Sequence, residues 1–162
     1  MAIEIERKFL VQGTPWRQGA GVRFNQGYLN RDMERTVRVR IAGDKAYLTI
    51  KGVTRGASRA EFEYEIPVAD AEQLLQLSDG PVIQKNRHVI VHEGSKWEVD
   101  EFLGDNAGLV IAEIELTSPD QPFARPSWLG MEVTQDMRYF NSNLASNPYS
   151  TWGDRRNDGA FS

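Results

Sequence analysis

The chain has 162 residues, 40% of them hydrophobic and 26% charged, which is typical of a single globular domain spanning residues 1–162. It has no cysteine, which excludes disulfides and cysteine-ligated zinc and favours the cytoplasm, and no apolar run of about 18 residues that would span a membrane. The net charge of −4 argues against nucleic-acid binding, so any polyanion must be held by a local basic cluster.

An alternating segment opens the chain. Along a β-strand, Glu4, Glu6 and Lys8 share one face, whereas Ile5 and Phe9 share the other. Two carboxylates beside an ammonium suit a divalent cation next to an anionic ligand. An ordinary half-buried strand with a solvated charged face would show the same pattern, so the later segments decide between the two interpretations.

The next part of the chain is a predicted loop over residues 13–21, and most segments after it alternate with a period of two. This period predicts antiparallel strands, with Gly43 and Asp44 as the turn of a hairpin. The clearest alternating segments are residues 36–41, 47–51, 58–66, 85–87, 97–100 and 113–115.

Two segments have the apolar spacing of helices. Residues 70–79 begin with Asp70 as a capping residue, and residues 134–145 begin with Thr134. The segment 146–162 has little periodicity and is expected to be a surface tail. Many short strands with two helices indicate a mainly β (α+β) protein, either a barrel or a sandwich with helices packed outside.

Charges of one sign are grouped by strand on the polar faces. Like charges two residues apart on one face repel each other, so a bound ligand should offset them. Basic strands predict a polyanion and acidic strands predict Mg²⁺ or Mn²⁺, so the expected ligand is a metal-chelated polyphosphate. Periodicity alone leaves open whether these faces line the inside of a barrel or the outside of a sandwich. The acids are Glu4, Glu6, Glu61, Glu63, Glu65, Glu98, Asp100, Glu113 and Glu115, and the bases are Lys8, Arg38, Arg40, Lys51, Arg59, Lys85 and Arg87.

Seven motifs occur in the same order as in a known family. They are E-x-E-x-K at residues 4–8, R-x-R at 38–40, a basic strand end at 49–51, E-x-E at 61–63, K-x-R at 85–87, an aspartate at 100 and a second E-x-E at 113–115. With the closing region at 130–134, this order resembles the CYTH superfamily, the triphosphate tunnel metalloenzymes.

The resemblance implies a closed antiparallel eight-stranded β-barrel whose charged lumen forms a tunnel. It implies metal-dependent hydrolysis of inorganic triphosphate to pyrophosphate and phosphate. The alternative enzymes are a class IV-type adenylyl cyclase and a thiamine or nucleoside triphosphatase, and the alternative outside catalysis is a polyphosphate-binding module. The expected partner is a small-molecule polyphosphate, without nucleic acid or membrane, and a homodimer is left open.

Residue roles follow from the charges together with the resemblance. Glu65 and Glu98 either join the site or only line the tunnel mouth. The expected metal ligands are Glu4, Glu6, Glu61, Glu63, Asp100, Glu113 and Glu115. The expected substrate-binding residues are Lys8, Arg38, Arg40, Lys51, Arg59, Lys85 and Arg87.

Lys8 and Tyr28 are the candidate catalytic pair. If residues 26–30 form a strand, the Tyr28 phenol faces the lumen, and that strand could pair with the one that carries Lys8. An ammonium beside a phenol favours the phenolate, which could orient or deprotonate the attacking water. The alternative is that Tyr28 is a packing residue and Lys8 only binds phosphate.

Overall fold

The computed structural model describes residues 3–153. Its two α-helices are α1 (Val68–Leu75) and α2 (Asn141–Leu144), and short 3₁₀ helices cover Gly104–Asn106, Met137–Tyr139 and Tyr149–Thr151. The strands are β1 (Ile3–Val11), β2 (Val22–Asn30), β3 (Arg35–Ala42), β4 (Lys45–Gly52), β5 (Ser58–Ile66), β6 (Ile83–His92), β7 (Ser95–Phe102), β8 (Val110–Glu115) and β9 (Leu129–Glu132). No helix in this described part is long and apolar enough to cross a membrane.

Eight of the strands close into an antiparallel barrel in the order β5-β4-β3-β2-β6-β7-β8-β1. The closing pairing is short, because β1 meets β5 only at Ile3, Glu4 and Ile5. The second half of the same β1 edge pairs with β9, which lies outside the ring of eight. The predicted closed eight-stranded barrel is therefore confirmed.

Alternation along the strands sends charged side chains inward and apolar ones outward. On one side of the wall, Phe9 and Trp97 are buried with Trp16 and Trp128 from the neighbouring loops. On the other side, α1 covers the outer face of β3 and β4 around Val39. The predicted hairpin turn lies between β3 and β4, where Gly43 has φ 63°, a conformation that glycine adopts without steric cost.

One end of the barrel is filled by an apolar cluster, here called the plug. Leu10, Ile83 and Phe102 lie on the same strand faces as the lumen charges, but they pack against Leu144 and Trp152 of the C-terminal segment. The lumen therefore changes from charged to apolar along its length. This end of the barrel is therefore filled by packed side chains and is not open to solvent.

Both predicted helices differ from those in the structure. Helix α1 begins after Pro67 and ends at Leu75, and Asp70 lies in its first turn without capping it. Residues 134–145 do not form one helix, because Phe140 is extended at φ −70° and ψ 132° between the 3₁₀ turn and α2. Packing into the barrel end overrides the local helical preference, so the second helix has only four residues.

The C-terminal segment also departs from the sequence prediction of a surface tail. Tyr149–Thr151 form a 3₁₀ turn, and Trp152 is buried in the plug with its ring 5.1 Å from that of Tyr149. The prediction is therefore wrong for these residues, because their rings supply apolar surface that closes the barrel. Residues 154–162 lie outside the described part of the chain.

Replacing Leu144 by Ala should test the plug. The side chain is 1% exposed, so its truncation should lower the free energy of unfolding by about 2–5 kcal/mol. Leu77→Ala is the control, because that side chain is 70% exposed and its loss should change stability by no more than about 0.5 kcal/mol. Urea unfolding measures both, and equal stability of the two variants would contradict the packing described for the plug.

Candidate active site

The barrel lumen encloses a cavity of about 190 Å³. Every residue that the sequence predicted for the site lines this cavity, with the exception of Asp100. Glu98 lines it too, whereas Glu65 is exposed and lies outside it. Strands that are far apart in the sequence thus bring their charged faces to one enclosed space.

Bases occupy one side of this lumen. Arg38 and Arg40 project from β3, and Lys85 and Arg87 project from β6. Strand β2 lies between β3 and β6 and contributes no charge to the cavity lining, so the four cations form one continuous basic side. The acidic strands β7, β8 and β1 follow one another on the opposite part of the wall.

Two of the guanidinium groups on the basic side lack a full set of partners. The Nε atoms of Arg38 and Arg40 are buried without a hydrogen bond within residues 3–153. Burial first, and then repulsion by Arg38 and Arg87, lowers the pKa of Arg40 to about 10. The ring of Phe24 lies 4.8 Å from the Arg40 guanidinium and 4.6 Å from that of Arg87. A bound anion would satisfy these donors and relieve the repulsion.

Asp100 holds two of these bases in place. Its carboxylate accepts hydrogen bonds from Nε and Nη2 of Arg87, each at 2.8 Å, and lies 2.8 Å from Nζ of Lys85. Burial would raise the pKa of Asp100, but Arg87 and then Lys85 hold it below its usual range. The side chain is 2% exposed and does not line the cavity, and its predicted role as a metal ligand stays a prediction.

Lys85 is the most deeply buried of the bases. Burial lowers its pKa to about 8, although Asp100 opposes this shift. Its ammonium also donates to Oδ1 of Asn141 at 3.0 Å, and the same oxygen accepts from Nε2 of Gln26 at 2.9 Å. The C-terminal segment therefore reaches into the lumen and binds the basic side directly.

Carboxylates face each other on the acidic side. Glu6 lies directly opposite Glu115 across β1 and β8, and Glu98 lies opposite Glu113 across β7 and β8. Burial, followed by the neighbouring charge of Glu6, raises the pKa of Glu113. Burial, followed by the charges of Glu4 and Glu98, raises the pKa of Glu115. Like charges directly opposed across strands are destabilising, so this side favours a bound cation.

The donor set fits a hard divalent cation that also binds the substrate. Within residues 3–153, no three Asp, Glu or His side chains already form a group that could hold a metal ion. Mg²⁺ is commonly held by one or two carboxylates together with water and substrate phosphate oxygens, and so is Mn²⁺ in sites of this kind. The opposed pairs Glu6–Glu115 and Glu98–Glu113 could supply such carboxylates.

Three further predicted metal ligands lie close to bases in this structure, and their metal-binding role stays a prediction. Lys51 donates to both carboxylate oxygens of Glu4, at 3.0 and 3.1 Å, and lies 3.5 Å from Glu61. Glu63 lies 3.5 Å from Arg38 and 3.6 Å from Arg40. These carboxylates therefore balance charge at the junction of the basic and acidic sides.

The strand pairing predicted for Lys8 and Tyr28 is wrong. Strand β2 pairs with β3 and β6, so Tyr28 is not on a neighbour of β1. The Tyr28 side chain borders the cavity and is 5% exposed within the plug cluster, and its catalytic role stays a prediction. The Lys8 ammonium lies 3.9 Å from both Glu6 and Glu113, and 4.7 Å from the centre of the Phe140 ring.

Sequence reasoning missed three residues that shape the site. Phe24 and Gln26 share the strand face of Tyr28, so the period of two in β2 was a signal that could have found them. Asn141 carries no such signal, because it enters the lumen from the plug rather than from a strand.

A closed barrel with a divided charged lumen agrees with the family that the motifs predicted. The family model of the CYTH domain matches residues 2–149, and the chain belongs to the CYTH domain family. An inorganic triphosphatase of Acetivibrio thermocellus is 53% identical over 154 residues, covering 94% of this chain and 99% of that protein.

Two further relatives agree with this assignment. An inorganic triphosphatase of Nitrosomonas europaea is 38% identical over 146 residues, covering 88% of this chain and 96% of that protein. The crystal structure of the inorganic triphosphatase NE1496 matches with a TM-score of 0.63 and 36% identity, covering 90% of this chain and 95% of the other.

Replacing Asp100 by Asn should reveal how much the buried pair contributes. Losing one partner of a buried ion pair costs about 3–5 kcal/mol of unfolding free energy at neutral pH. Because the folded pKa of Asp100 is depressed, its contribution is present above the unfolded pKa of about 3.9 and is lost as the pH falls towards the folded value. The stability difference from the wild type should therefore shrink below about pH 4.

The control for this variant is Asp120→Asn, which removes an exposed carboxylate. Urea unfolding of both variants across the acidic range measures the effect. A difference between wild type and Asp100→Asn that stays constant down to the acid limit would contradict the anchoring role.

Proposed function

We propose that this protein hydrolyses inorganic triphosphate to pyrophosphate and phosphate inside the barrel. The observation that carries the proposal is the division of the lumen into a basic and an acidic side. Buried guanidinium nitrogens without hydrogen-bond partners in the described part of the chain lie on one side, and opposed carboxylate pairs lie on the other. A polyanion that brings its own divalent cation satisfies both sides at once. The expected setting is the cytoplasm, with a free polyphosphate as substrate and no nucleic-acid or membrane partner.

The basic side binds the phosphate groups. Arg38, Arg40 and Arg87 present planar guanidinium groups, which can bind phosphate oxygens bidentately. Lys85 contributes a point charge fixed by Asp100, and Lys8 contributes another from the acidic side. Five cations thus surround the phosphate chain and neutralise charge that spreads over the transferred phosphoryl group.

The acidic side would hold the metal ion. CYTH triphosphatases are metal-dependent, and the carboxylates with the right placement are Glu6, Glu98, Glu113 and Glu115. Mg²⁺ and Mn²⁺ are the cations that suit this oxygen-rich set. When bound, such an ion neutralises phosphate charge and polarises a phosphoryl oxygen.

The protein contributes mainly position and charge to the reaction. Phosphoryl transfer has a loose transition state that demands little covalent chemistry from the enzyme. The paired bases hold the phosphate chain in one register, and the plug keeps bulk water from entering through the closed end. A charged lumen closed at one end by packing therefore provides the alignment that in-line displacement requires.

The proposal predicts phosphate release from tripolyphosphate only when Mg²⁺ or Mn²⁺ is supplied. Released phosphate should be measured with each ion and with excess chelator, and the same assay should be repeated with ATP in place of tripolyphosphate. ATP should have the lower kcat/KM, since the cavity lining is dominated by charged groups rather than by a surface for a base. Full turnover in chelator, or cyclic nucleotide as the product from ATP, would contradict the proposal.

Replacing Arg40 by Ala should weaken substrate binding. The variant loses a guanidinium with an unpartnered buried Nε, so KM for tripolyphosphate should rise by about tenfold or more. The matched control is Arg35→Ala on the same strand, where the side chain is 67% exposed and pairs with Asp32. Steady-state kinetics distinguish the two variants. Unchanged KM and kcat in Arg40→Ala would place the phosphate chain elsewhere in the lumen.

A further inference from the structure

A second, much smaller compartment opens beside the lumen. It has a volume of about 20 Å³. Glu6, Lys8, Arg59 and Phe140 line both this compartment and the main cavity, so the two spaces adjoin. The remaining wall comes from Thr134 and from the loop between β4 and β5, which carries Thr54.

Two residues of this wall each carry a buried polar atom that has no hydrogen-bond partner among residues 3–153. The two atoms are Oγ1 of Thr54 and Nη2 of Arg59. Two other polar groups nearby do have partners, because Arg59 Nε donates to the Gly52 carbonyl at 3.1 Å and the Thr134 hydroxyl accepts the Lys8 N–H at 3.0 Å. An unsatisfied buried polar group costs about 1–3 kcal/mol, and a small polar molecule bound in the compartment could offset this cost for both groups.

The loop that carries Thr54 is held firmly in place. The Glu6 N–H donates to the Ala57 carbonyl at 3.0 Å, which ties the loop to β1. Arg55 and Ser58 exchange backbone hydrogen bonds of 2.7 and 3.0 Å across a tight turn. These backbone hydrogen bonds therefore restrict the position of Thr54 relative to Lys8 and Arg59.

The small volume of the compartment limits which molecule can bind in it. A space of about 10–15 Å³ is enough for one water molecule with two or more polar partners. A phosphate group is several times larger and belongs in the main cavity. The compartment thus has room for one water molecule next to the part of the main cavity that Lys8 and Arg59 line.

We propose that this compartment holds the water molecule that attacks the terminal phosphoryl group of the substrate. The inference deepens the proposed function and rests on it. Arg59 Nη2 donates to the water, and the water donates to Thr54 Oγ1, which leaves a lone pair directed at the lumen. Thr54 and Arg59 are then the residues that bind and orient the nucleophile.

The step balances without another reactant. The water oxygen forms a bond to the terminal phosphorus, and the bond from that phosphorus to the bridging oxygen breaks with its electron pair. One water proton remains on the new hydrogen phosphate, and the other passes to the departing pyrophosphate. Holding the water in line is the contribution of the compartment, which is an effect on orientation rather than on acidity.

Replacing Thr54 by Val tests this placement, because the new methyl group keeps the shape and removes the hydrogen bond to the water. We expect kcat for tripolyphosphate to fall by about 10- to 100-fold while KM stays within about twofold, since the phosphate contacts are unchanged. Thr54→Ser keeps a hydroxyl and should retain most of the wild-type kcat. Thermal melting of each variant verifies that it is folded.

Three outcomes would overturn the inference. They are a Thr54→Val variant with wild-type kcat, a variant in which only KM rises, and a Thr54→Ser variant as impaired as Thr54→Val. A crystal structure of the wild-type protein gives an independent readout if Thr54→Val fails to fold. Ordered water within hydrogen-bond distance of both Thr54 Oγ1 and Arg59 Nη2 supports the site, and its absence in a well-ordered map rejects it.

These results are separable from a failure of the proposed function. If the wild-type protein releases no phosphate from tripolyphosphate with any divalent metal, the proposed function fails, and the attacking-water role fails with it. If the wild type is active and Thr54→Val is equally active, only the assignment of the attacking water is wrong.

Discussion

The structure depends on one constraint, which is the free-energy cost of removing charged side chains from water. The lumen brings together many ionised side chains in a narrow space, where the desolvation of each costs several kcal/mol unless a partner offsets it. The chain meets this cost in part through internal pairs such as Asp100 with Arg87 and Lys85, and Lys51 with Glu4. A bound ligand would offset the remainder, because opposed carboxylates remain on one side and, among residues 3–153, guanidinium nitrogens without a hydrogen bond remain on the other.

The plug helps to position the charged side chains of the lumen. An apolar end closes the barrel around Leu144 and Trp152. Just before these residues, Phe140 and Asn141 contact two of the lumen lysines, Lys8 and Lys85 respectively. Packing energy at one end therefore fixes the position of charges further along the lumen. The C-terminal segment therefore contributes both to the packing of the barrel end and to the lining of the lumen, although it lies far in sequence from the first strands of the barrel.

The inward faces of the strands could be predicted because a period of two is a direct consequence of strand geometry. Arg38 with Arg40 and Glu113 with Glu115 needed no knowledge of the fold to be placed on common faces. Strand order is different, since pairing depends on tertiary closure, and the wrong neighbour assumed for β2 led to the wrong pairing for Tyr28. The motif order supplied the closed barrel that periodicity had left open.

Other features left no local pattern to detect. Phe140 interrupts a segment with helical spacing because its ring packs over Lys8 inside the barrel. The sequence of residues 134–145 contains no pattern that predicts this contact. Asp100 shares the polar face of an acidic strand, and no local pattern predicts that it is buried against Arg87 and does not line the cavity. Thr54 lies in a loop without periodicity, and only the small compartment beside the lumen draws attention to it.

The most direct test of the divided lumen is a crystal structure with Mn²⁺ and a non-hydrolysable imido analogue of triphosphate. Anomalous scattering locates the metal independently of the phosphate density. We predict Mn²⁺ among Glu6, Glu98, Glu113 and Glu115, with phosphate oxygens against Arg38, Arg40 and Arg87. Mn²⁺ bound outside the barrel, or phosphate groups bound away from these arginines, would contradict it.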